Sequence, residues 1–277
     1  MNDAPIAVFD SGYGGLTVLK ELVKSMPAYD FLYLGDNART PYGTRSFDVV
    51  YRYTLQAVKY LFGQGCPLII IACNTASAKA LRNIQVLDLP ALAPDNRVLG
   101  VIRPSVEKVS EITQNGHVGV LGTVGTVVSE SYPMELKKWS KGTVTSIVQE
   151  ACPMWVPLVE NNEVDSKGAD YFVRKNIENI LAKDNQLDTL ILGCTHYPLL
   201  SEVIQKYVPN KIQILKQGNI IAEKLVDYLR RHPEMDRRLS RGGGMAFQTT
   251  ESASFFESKA ALFLDRQVEA TTVQLRD

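Results

Sequence analysis

The sequence predicts an α/β fold with mainly parallel sheets, divided between two domains. The first observation behind this prediction is residues 68–77, where the unbroken apolar run LIII precedes a small residue and a helix-like segment. Such a run is typical of a strand that is buried on both faces of a parallel sheet. Residues 190–200 repeat the same order of apolar, small and helix-forming residues. The third observation is the length of 277 residues, which exceeds the usual size of one domain.

Strand and helix patterns alternate through the first hundred residues. Short apolar runs bounded by turn formers predict strands at 6–9, 31–34 and 68–71, and apolar residues at helical spacing predict helices at 16–25, 46–62 and 76–84. The proline-containing stretch 89–96 has the composition of a linker, so we place a domain crossing near 95–98.

The same alternation continues to about residue 231. We predict strands at 98–102, 118–121, 143–149, 189–192 and 212–215, and helices at 106–113, 129–139, 170–182, 201–207 and 220–231. Two prolines in 151–160 are expected to break regular structure there. The final stretch, 245–277, is expected to pack back on the first domain.

Composition excludes several classes of function. Lys+Arg and Asp+Glu are both 30, so the formal net charge is zero and there is no electrostatic case for a nucleic-acid or anionic-membrane partner. No apolar run approaches the roughly 20 residues that span a bilayer, and MNDAPIAVFD lacks the pattern of a signal peptide. The four cysteines form no CxxC pair, and the three histidines are too scattered for a metal site. We therefore expect a cytoplasmic protein with reduced thiols.

Cys73 and Cys194 each follow a predicted buried strand. Open α/β sheets bind ligands at the carboxyl ends of their strands, and the amino terminus of the next helix favours a thiolate or a bound carboxylate. The alternative interpretation is a pair of buried structural thiols, because free cysteine is among the most buried residue types. The matching local sequence around both cysteines favours two similar half-sites that face each other.

Other polar residues follow the predicted strands at the same edges. Asp10 and Ser11 open a glycine-rich turn that lets backbone approach a ligand closely, although its spacing is not that of a dinucleotide fingerprint. Tyr42 and Gly43 lie in a loop that is either a surface turn or part of the same rim. Glu160 ends an apolar run, and the sequence leaves open whether its carboxylate is solvated or turned towards the site.

Two opposed thiols without a cofactor motif suit the inversion of a carbon next to a carboxylate. One group removes the proton from one face, and the other returns a proton to the opposite face. A free thiol has a pKa of about 8.5, so each cysteine needs help to ionise at neutral pH. Asp10 is the candidate helper for Cys73, and His196 for Cys194. Hydroxyl and amide groups that could hold the substrate and stabilise developing charge belong to Ser11, Asn74, Thr75, Thr123 and Thr195.

The sequence closely resembles the glutamate racemase family, cofactor-independent enzymes that make D-glutamate for bacterial peptidoglycan. The matching stretches run from residue 7 to about residue 200 and are AVFDSGYGGLTVLKEL, YLGDNARTPYGTRS, ACNTASA, LGVI, GVLGT, CPMWVPLVE and LGCTHYPLL. The resemblance implies that Cys73 is the base for D-glutamate and Cys194 the base for L-glutamate. It also implies that Asp10 assists Cys73, and that His196, with Glu160 as a further candidate, assists Cys194. The residues that it implies for the substrate pocket are Asp10, Ser11, Tyr42, Gly43, Asn74, Thr75, Thr195 and His196.

The resemblance also implies an architecture and an assembly. Two pseudo-symmetric, doubly wound domains would face each other across the active-site cleft, with residues 1–97 and 211–277 in the first and 98–210 in the second. The enzyme would need no cofactor and would be a homodimer. The two departures from the family pattern are Arg103-Pro104-Ser105, where Glu-Pro-Gly is frequent, and Lys216-Gln217, where an aspartate is frequent. Neither departure lies at a residue implied for proton transfer, so both bear on the implied subunit packing and regulation more than on the implied reaction.

Two alternatives stay open on the residues alone. One is a racemase or isomerase of the same superfamily that acts on aspartate or another small acid. The other is a catalytically silent protein that binds a small anion or a protein partner, against which the presence of both cysteines, Asp10 and His196 argues.

Overall fold

The structure, a computed structural model, describes residues 4–276. Its strands are β1 Ile6–Asp10, β2 Phe31–Gly35, β3 Leu68–Ile71, β4 Arg97–Gly100, β5 His117–Gly122, β6 Ser146–Ala151, β7 Thr189–Gly193, β8 Gln213–Leu215, β9 Met245–Thr249 and β10 Ala270–Thr272. Its α-helices are α1 Leu16–Ser25, α2 Phe47–Gly63, α3 Asn74–Lys79, α4 Leu81–Asn83, α5 Leu89–Leu92, α6 Ile102–Ile112, α7 Val124–Val128, α8 Ser131–Trp139, α9 Trp155–Glu160, α10 Lys167–Lys183, α11 Ser201–Tyr207, α12 Gln217–Arg231, α13 Pro233–Asp236 and α14 Ala253–Leu264. Short 3-10 turns lie at Asn37–Arg39 and Tyr197–Leu200, and a π-helical turn at Ile84–Asp88.

The strands form two parallel sheets. The first sheet has six strands in the order β10-β9-β2-β1-β3-β4, and the second has four in the order β6-β5-β7-β8. Every pairing is parallel, so each connection within a sheet needs a crossover, and helices cover the sheet faces. The structure confirms the predicted α/β class with parallel sheets.

The central strands of the first sheet are buried on both faces, as the run at 68–71 predicts. Successive side chains of a strand point to opposite faces. Leu68 and Ile70 accordingly pack in one apolar cluster, whereas Ile69 and Ile71 pack in another. Both clusters shield β3 from water, and the strand ends abruptly at the polar turn that carries Cys73.

The chain passes between the sheets slightly later than the predicted positions near 97 and 210. The strand expected at the start of 98–210 is β4, which pairs with β3 in the first sheet. The strand β8, within the predicted 211–277 segment, pairs with β7 in the second sheet. The chain therefore passes between the sheets after Gly100 and after Leu215. The first passage is later than predicted because the linker-like stretch contains the helix α5 and precedes β4, the last strand that the chain adds before it leaves the first sheet. A division into two domains, one per sheet, is our proposal.

Two helices differ from the expectations. Residues 151–160 are not irregular throughout, because α9 begins at Trp155 and includes Pro157. Proline is tolerated in the first turn of a helix, where the backbone N–H has no intrahelical acceptor. The helix expected at 129–139 is preceded by the separate short helix α7, and the break between them falls at Glu130, which has a left-handed backbone conformation with φ of 54°.

The tail returns to the first sheet, as expected. The strand β9 pairs with β2, and β10 pairs with β9. Between them, α14 places the rings of Phe256 and Phe263 against the ring of Tyr13, with centroid distances of 5.6 Å and 6.0 Å. In residues 4–276, no helix is long and apolar enough to span a membrane.

We predict that Leu68→Ala lowers the free energy of unfolding by about 2–5 kcal/mol, because it opens a cavity in the central strand. Leu68 is 0% exposed, whereas Leu87 is 65% exposed. The matched control Leu87→Ala removes the same atoms and should change the free energy of unfolding by about 0.5 kcal/mol or less. Urea denaturation of the three proteins makes the comparison, and equal losses in the two variants would contradict the assigned burial.

Candidate active site

The carboxyl ends of the two sheets meet at one closed cleft. Hydrogen bonds cross it: Gly125 N–H donates to the Gly43 carbonyl oxygen over 2.7 Å, the Thr75 and Thr123 hydroxyls lie 2.9 Å apart, and the Thr17 hydroxyl donates to the Thr195 carbonyl oxygen over 3.0 Å. These bonds bring together the segments that follow β1, β2, β3, β5 and β7.

Cys73 caps the amino terminus of α3. Its sulfur accepts a hydrogen bond from the Ala76 N–H over 3.4 Å and lies 3.4 Å from the Ser11 hydroxyl. Burial, with the charge of Asp10, raises the pKa of Cys73 to about 12, although the contacts with Ser11 and Ala76 lower it. The helix terminus therefore does not by itself produce a thiolate, and in this closed form Cys73 is a protonated thiol at neutral pH.

Asp10 is the last residue of β1 and is 1% exposed. Its Oδ1 accepts the Gly12 N–H over 2.9 Å, whereas the buried Oδ2 has no hydrogen-bond partner within residues 4–276. Burial raises the pKa of Asp10, although the positive charge of His196 and the backbone donors lower it. An ionised Asp10 opposes ionisation of Cys73, so it can assist that thiol only by accepting a proton.

Cys194 lies beside a charged pair. His196 Nδ1 is 3.8 Å from the Cys194 sulfur, and His196 Nε2 is 2.9 Å from Glu160 Oε1. Burial lowers the pKa of His196, but the contacts with Cys194 and Glu160 outweigh burial and raise it to about 10. The imidazole is therefore positively charged at neutral pH, and both of its nitrogens donate. A cation at this distance stabilises negative charge on the neighbouring sulfur.

The sequence left open whether the Glu160 carboxylate is solvated or turned towards the site. This carboxylate turns inward to His196, and its side chain is 23% exposed. The short helix α9 places it there, and the Lys259 ammonium donates to its backbone carbonyl oxygen over 2.8 Å. The ring of Phe263 meets the His196 ring edge-on at a centroid distance of 5.6 Å.

Sequence reasoning did not predict a role for Lys259 or Phe263. Both lie on α14 and reach the cleft only because the tail of the chain packs back on the first sheet. Their spacing within that helix carries no signal of a site in another part of the chain.

The two thiols lie within electrostatic reach of each other, since charge on Cys194 is among the causes that raise the pKa of Cys73. The cleft between them is tight. A Cβ added at Gly14 would lie 2.2 Å from Thr195 Oγ1 and 2.4 Å from His196 Nδ1. The turn after β1 thus packs directly on the turn that carries Cys194.

Several predicted substrate-binding groups are already engaged. The Tyr42 hydroxyl donates to Asp36, and the Asn74 amide bonds with the side chains of Gln217 and Tyr132. Thr123 contacts Thr75 across the cleft and caps α7 through the Thr126 N–H. Among residues 4–276 there is no group of three or more side chains that could hold a metal ion.

Comparison with known proteins agrees with this geometry. The model of the Asp/Glu/Hydantoin racemase family matches residues 11–225. A glutamate racemase from Persephonella marina is 45% identical over 206 residues, which cover 74% of this chain and 75% of the relative. A crystal structure of a glutamate racemase isoform from Bacillus anthracis is 34% identical and covers 99% of both chains with a TM-score of 0.88. The chain belongs to the glutamate racemases of the Asp/Glu/Hydantoin racemase family.

Several of the similar glutamate racemase structures contain a bound ligand. The Francisella tularensis glutamate racemase was crystallised in complex with D-glutamate; it is 29% identical, with a TM-score of 0.86 over 99% of both chains. This agreement over the full length of a glutamate racemase includes both sheets and therefore both sides of the cleft.

We predict that Gly14→Ala lowers the racemase rate by about 100-fold, because the new methyl group displaces Thr195 or the His196 ring from its place beside Cys194. The matched control is Gly63→Ala, since a Cβ at Gly63 meets nothing within 4 Å. Loss of optical rotation by L-glutamate measures both rates. Equal rates in the two variants would show that this contact has no part in the site.

We predict that Glu160→Gln lowers the pKa of His196, because it removes one of the two contacts that raise it. The raised pKa makes protonation of His196 stabilise the native state fully below about pH 6.5, and this contribution is lost as the pH rises through about 10. NMR titration of the imidazole measures the pKa, and Glu163→Gln, at an exposed glutamate nearby, is the control. An unchanged pKa in Glu160→Gln would refute the assigned ion pair.

Proposed function

We propose that this glutamate racemase inverts the α-carbon of glutamate with two thiols, Cys73 and Cys194, and without a cofactor. The observation that carries the proposal is the arrangement of two buried cysteines at facing sheet edges, each with its own titratable neighbour. Asp10 accompanies Cys73, and the pair of His196 and Glu160 accompanies Cys194.

In the direction from L- to D-glutamate, the Cys194 thiolate removes the α-proton from one face. The Cys73 thiol then donates its proton to the other face. The products are D-glutamate, a Cys194 thiol and a Cys73 thiolate. The reverse direction uses the same groups with exchanged roles, as microscopic reversibility requires.

The contacts of the closed structure support the arrangement in which Cys73 holds its proton and negative charge is favoured on Cys194. A raised pKa keeps Cys73 protonated and ready to donate. The imidazolium of His196, 3.8 Å away, stabilises negative charge on Cys194. The enzyme in this form is therefore prepared to take L-glutamate, and Asp10, whose pKa is also raised, is placed to receive a proton when Cys73 must become the base.

The substrate is held, in this proposal, by donors that line the seam between the sheets. The hydroxyls of Thr75, Thr123 and Thr195 and the N–H groups that follow β1 and β3 would bind the carboxylates and stabilise the carbanion-like transition state. The unpartnered Oδ2 of Asp10 would accept a hydrogen bond from the substrate ammonium group.

Substrate entry requires the two sheets to separate. Cys73 and Cys194 are each only 6% exposed, and the bond between Gly125 and Gly43 closes the rim. Opening and closing of the cleft would admit glutamate and then exclude water, which strengthens every electrostatic interaction inside.

We further propose that the D-glutamate supplies peptidoglycan synthesis in the cytoplasm and that the enzyme is a homodimer. The glutamate racemase relatives and the bound D-glutamate of the Francisella tularensis enzyme support glutamate as substrate. Circular dichroism of the purified protein with L-glutamate, and separately with L-aspartate, tests this choice. Decay of the signal with aspartate alone would overturn it, and decay with neither acid would favour the silent binding protein.

We predict that Cys73→Ser and Cys194→Ser each lower the rate of racemisation at least 1000-fold, on the order of what loss of an essential nucleophile or base costs. Cys66→Ser is the matched control, because Cys66 is also buried but lies before β3, at the opposite end of that strand. Its rate should stay close to that of the unmodified enzyme. Near-normal rates in either active-site variant would exclude the two-thiol mechanism.

A further inference from the structure

The two stretches that depart from the family pattern meet in the interior. Gln217 is the first residue of α12, and Ser105 lies in the first turns of α6. The Gln217 Nε2 donates to the Ser105 hydroxyl over 2.7 Å. Ser105 in turn donates to the carbonyl oxygen of Val101 over 2.9 Å. These residues follow the two points at which the chain passes from one sheet to the other.

Gln217 also completes a closed ring of hydrogen bonds with Asn74 and Tyr132, which we call the Asn74–Tyr132–Gln217 ring. Asn74 Nδ2 donates to Gln217 Oε1 over 2.7 Å. Gln217 Nε2 donates to the Tyr132 hydroxyl over 2.8 Å, and that hydroxyl donates to Asn74 Oδ1 over 2.7 Å. Each member donates and accepts in the same direction around the ring, so the bonds reinforce one another.

The ring joins both halves of the molecule and is buried. Asn74 is 2% exposed, Tyr132 0% and Gln217 4%. Asn74 directly follows Cys73 and opens α3, whereas Tyr132 belongs to α8, which packs in the core of the second sheet. A buried polar group without a partner is costly, so these three side chains hold one another in a single arrangement.

We propose that Gln217 is a positioning residue of the racemase reaction. It clamps the amino terminus of α3, and with it Cys73, at a set distance from the second sheet and hence from Cys194. The inference rests on the proposed two-thiol mechanism, because only a group that transfers a proton needs such placement. Gln217 touches no reacting atom, and it acts through Asn74 and Tyr132.

The distance between the two thiols matters because both must reach one carbon. A displacement of about 1 Å at a reacting group can cost about 100-fold in rate. Gln217→Leu keeps a side chain of similar size but leaves Asn74 Nδ2 and the Tyr132 hydroxyl each short of a partner. We expect kcat to fall by about 10- to 100-fold, with KM changed much less.

Two controls separate positioning from loss of stability. Lys216→Gln alters the exposed neighbour of Gln217, and its rate should match that of the unmodified enzyme. Val109→Ala truncates a 0% exposed side chain of α6 outside the ring. It should lower the thermal midpoint of unfolding while kcat stays within about twofold of the starting value. Equal kcat losses in Val109→Ala and Gln217→Leu at similar midpoints would overturn the proposal.

An isotope effect supplies a readout that a purely structural role would not move. L- and D-glutamate have equal free energies, so kcat/KM must be equal in the two directions for every variant. If Gln217→Leu misplaces Cys73, proton transfer at Cys73 becomes the higher barrier. The α-deuterium isotope effect on kcat/KM should then rise with D-glutamate and fall with L-glutamate. Unchanged isotope effects with both enantiomers would contradict the proposal.

Tyr132→Phe offers a second route if Gln217→Leu does not fold. It removes one hydroxyl from the same ring and should shift the isotope effects in the same direction. The double variant should lose little more rate than either single variant, since both break one ring. Additive losses would overturn the proposal. Failure of the proposed function itself would look different, because the unmodified enzyme would then lack racemase activity or survive Cys73→Ser.

Discussion

The proposed mechanism places one constraint on the whole molecule: two thiols must address one carbon from opposite faces. Parallel sheets meet that constraint, because all their strands end at the same edge and the following turns are free of sheet hydrogen bonds. Here the two sheets present these edges to each other, and the turns after β3 and β7 carry Cys73 and Cys194. The remaining features of the site serve to set the distance and the protonation states across that cleft.

The two half-sites are alike in topology but differ in electrostatics. On the first side, burial dominates, and Cys73 has a pKa raised to about 12 beside the buried Asp10. On the second side, the contacts with Cys194 and Glu160 raise the pKa of His196 and keep its imidazole charged. This asymmetry places a thiol with a raised pKa on the first side and a cation beside the thiol on the second.

Contacts between the halves do more than close the cleft. In the proposed mechanism, bonds at its rim, such as that between Gly43 and Gly125, break when substrate enters. The Asn74–Tyr132–Gln217 ring is buried and its members pair with one another, so it can persist while the rim opens. A contact that stays intact while the rim separates would return Cys73 to the same place in each catalytic cycle.

Local sequence by itself determined the parallel α/β class, the positions of the central strands and the two strand-end cysteines, because a doubly buried strand needs an unbroken apolar run and its turn needs small polar residues. The family motifs added the identity of the chemistry. Only the tertiary structure decided that Glu160 faces His196 and that α14 covers that pair. It also decided that the chain passes between the sheets after Gly100 and after Leu215, and that Asn74 is bound by Gln217. The last contact joins residues 143 positions apart. Such contacts depend on how the two sheets are placed relative to each other, and the spacing of residues along one strand or helix carries no information about that placement.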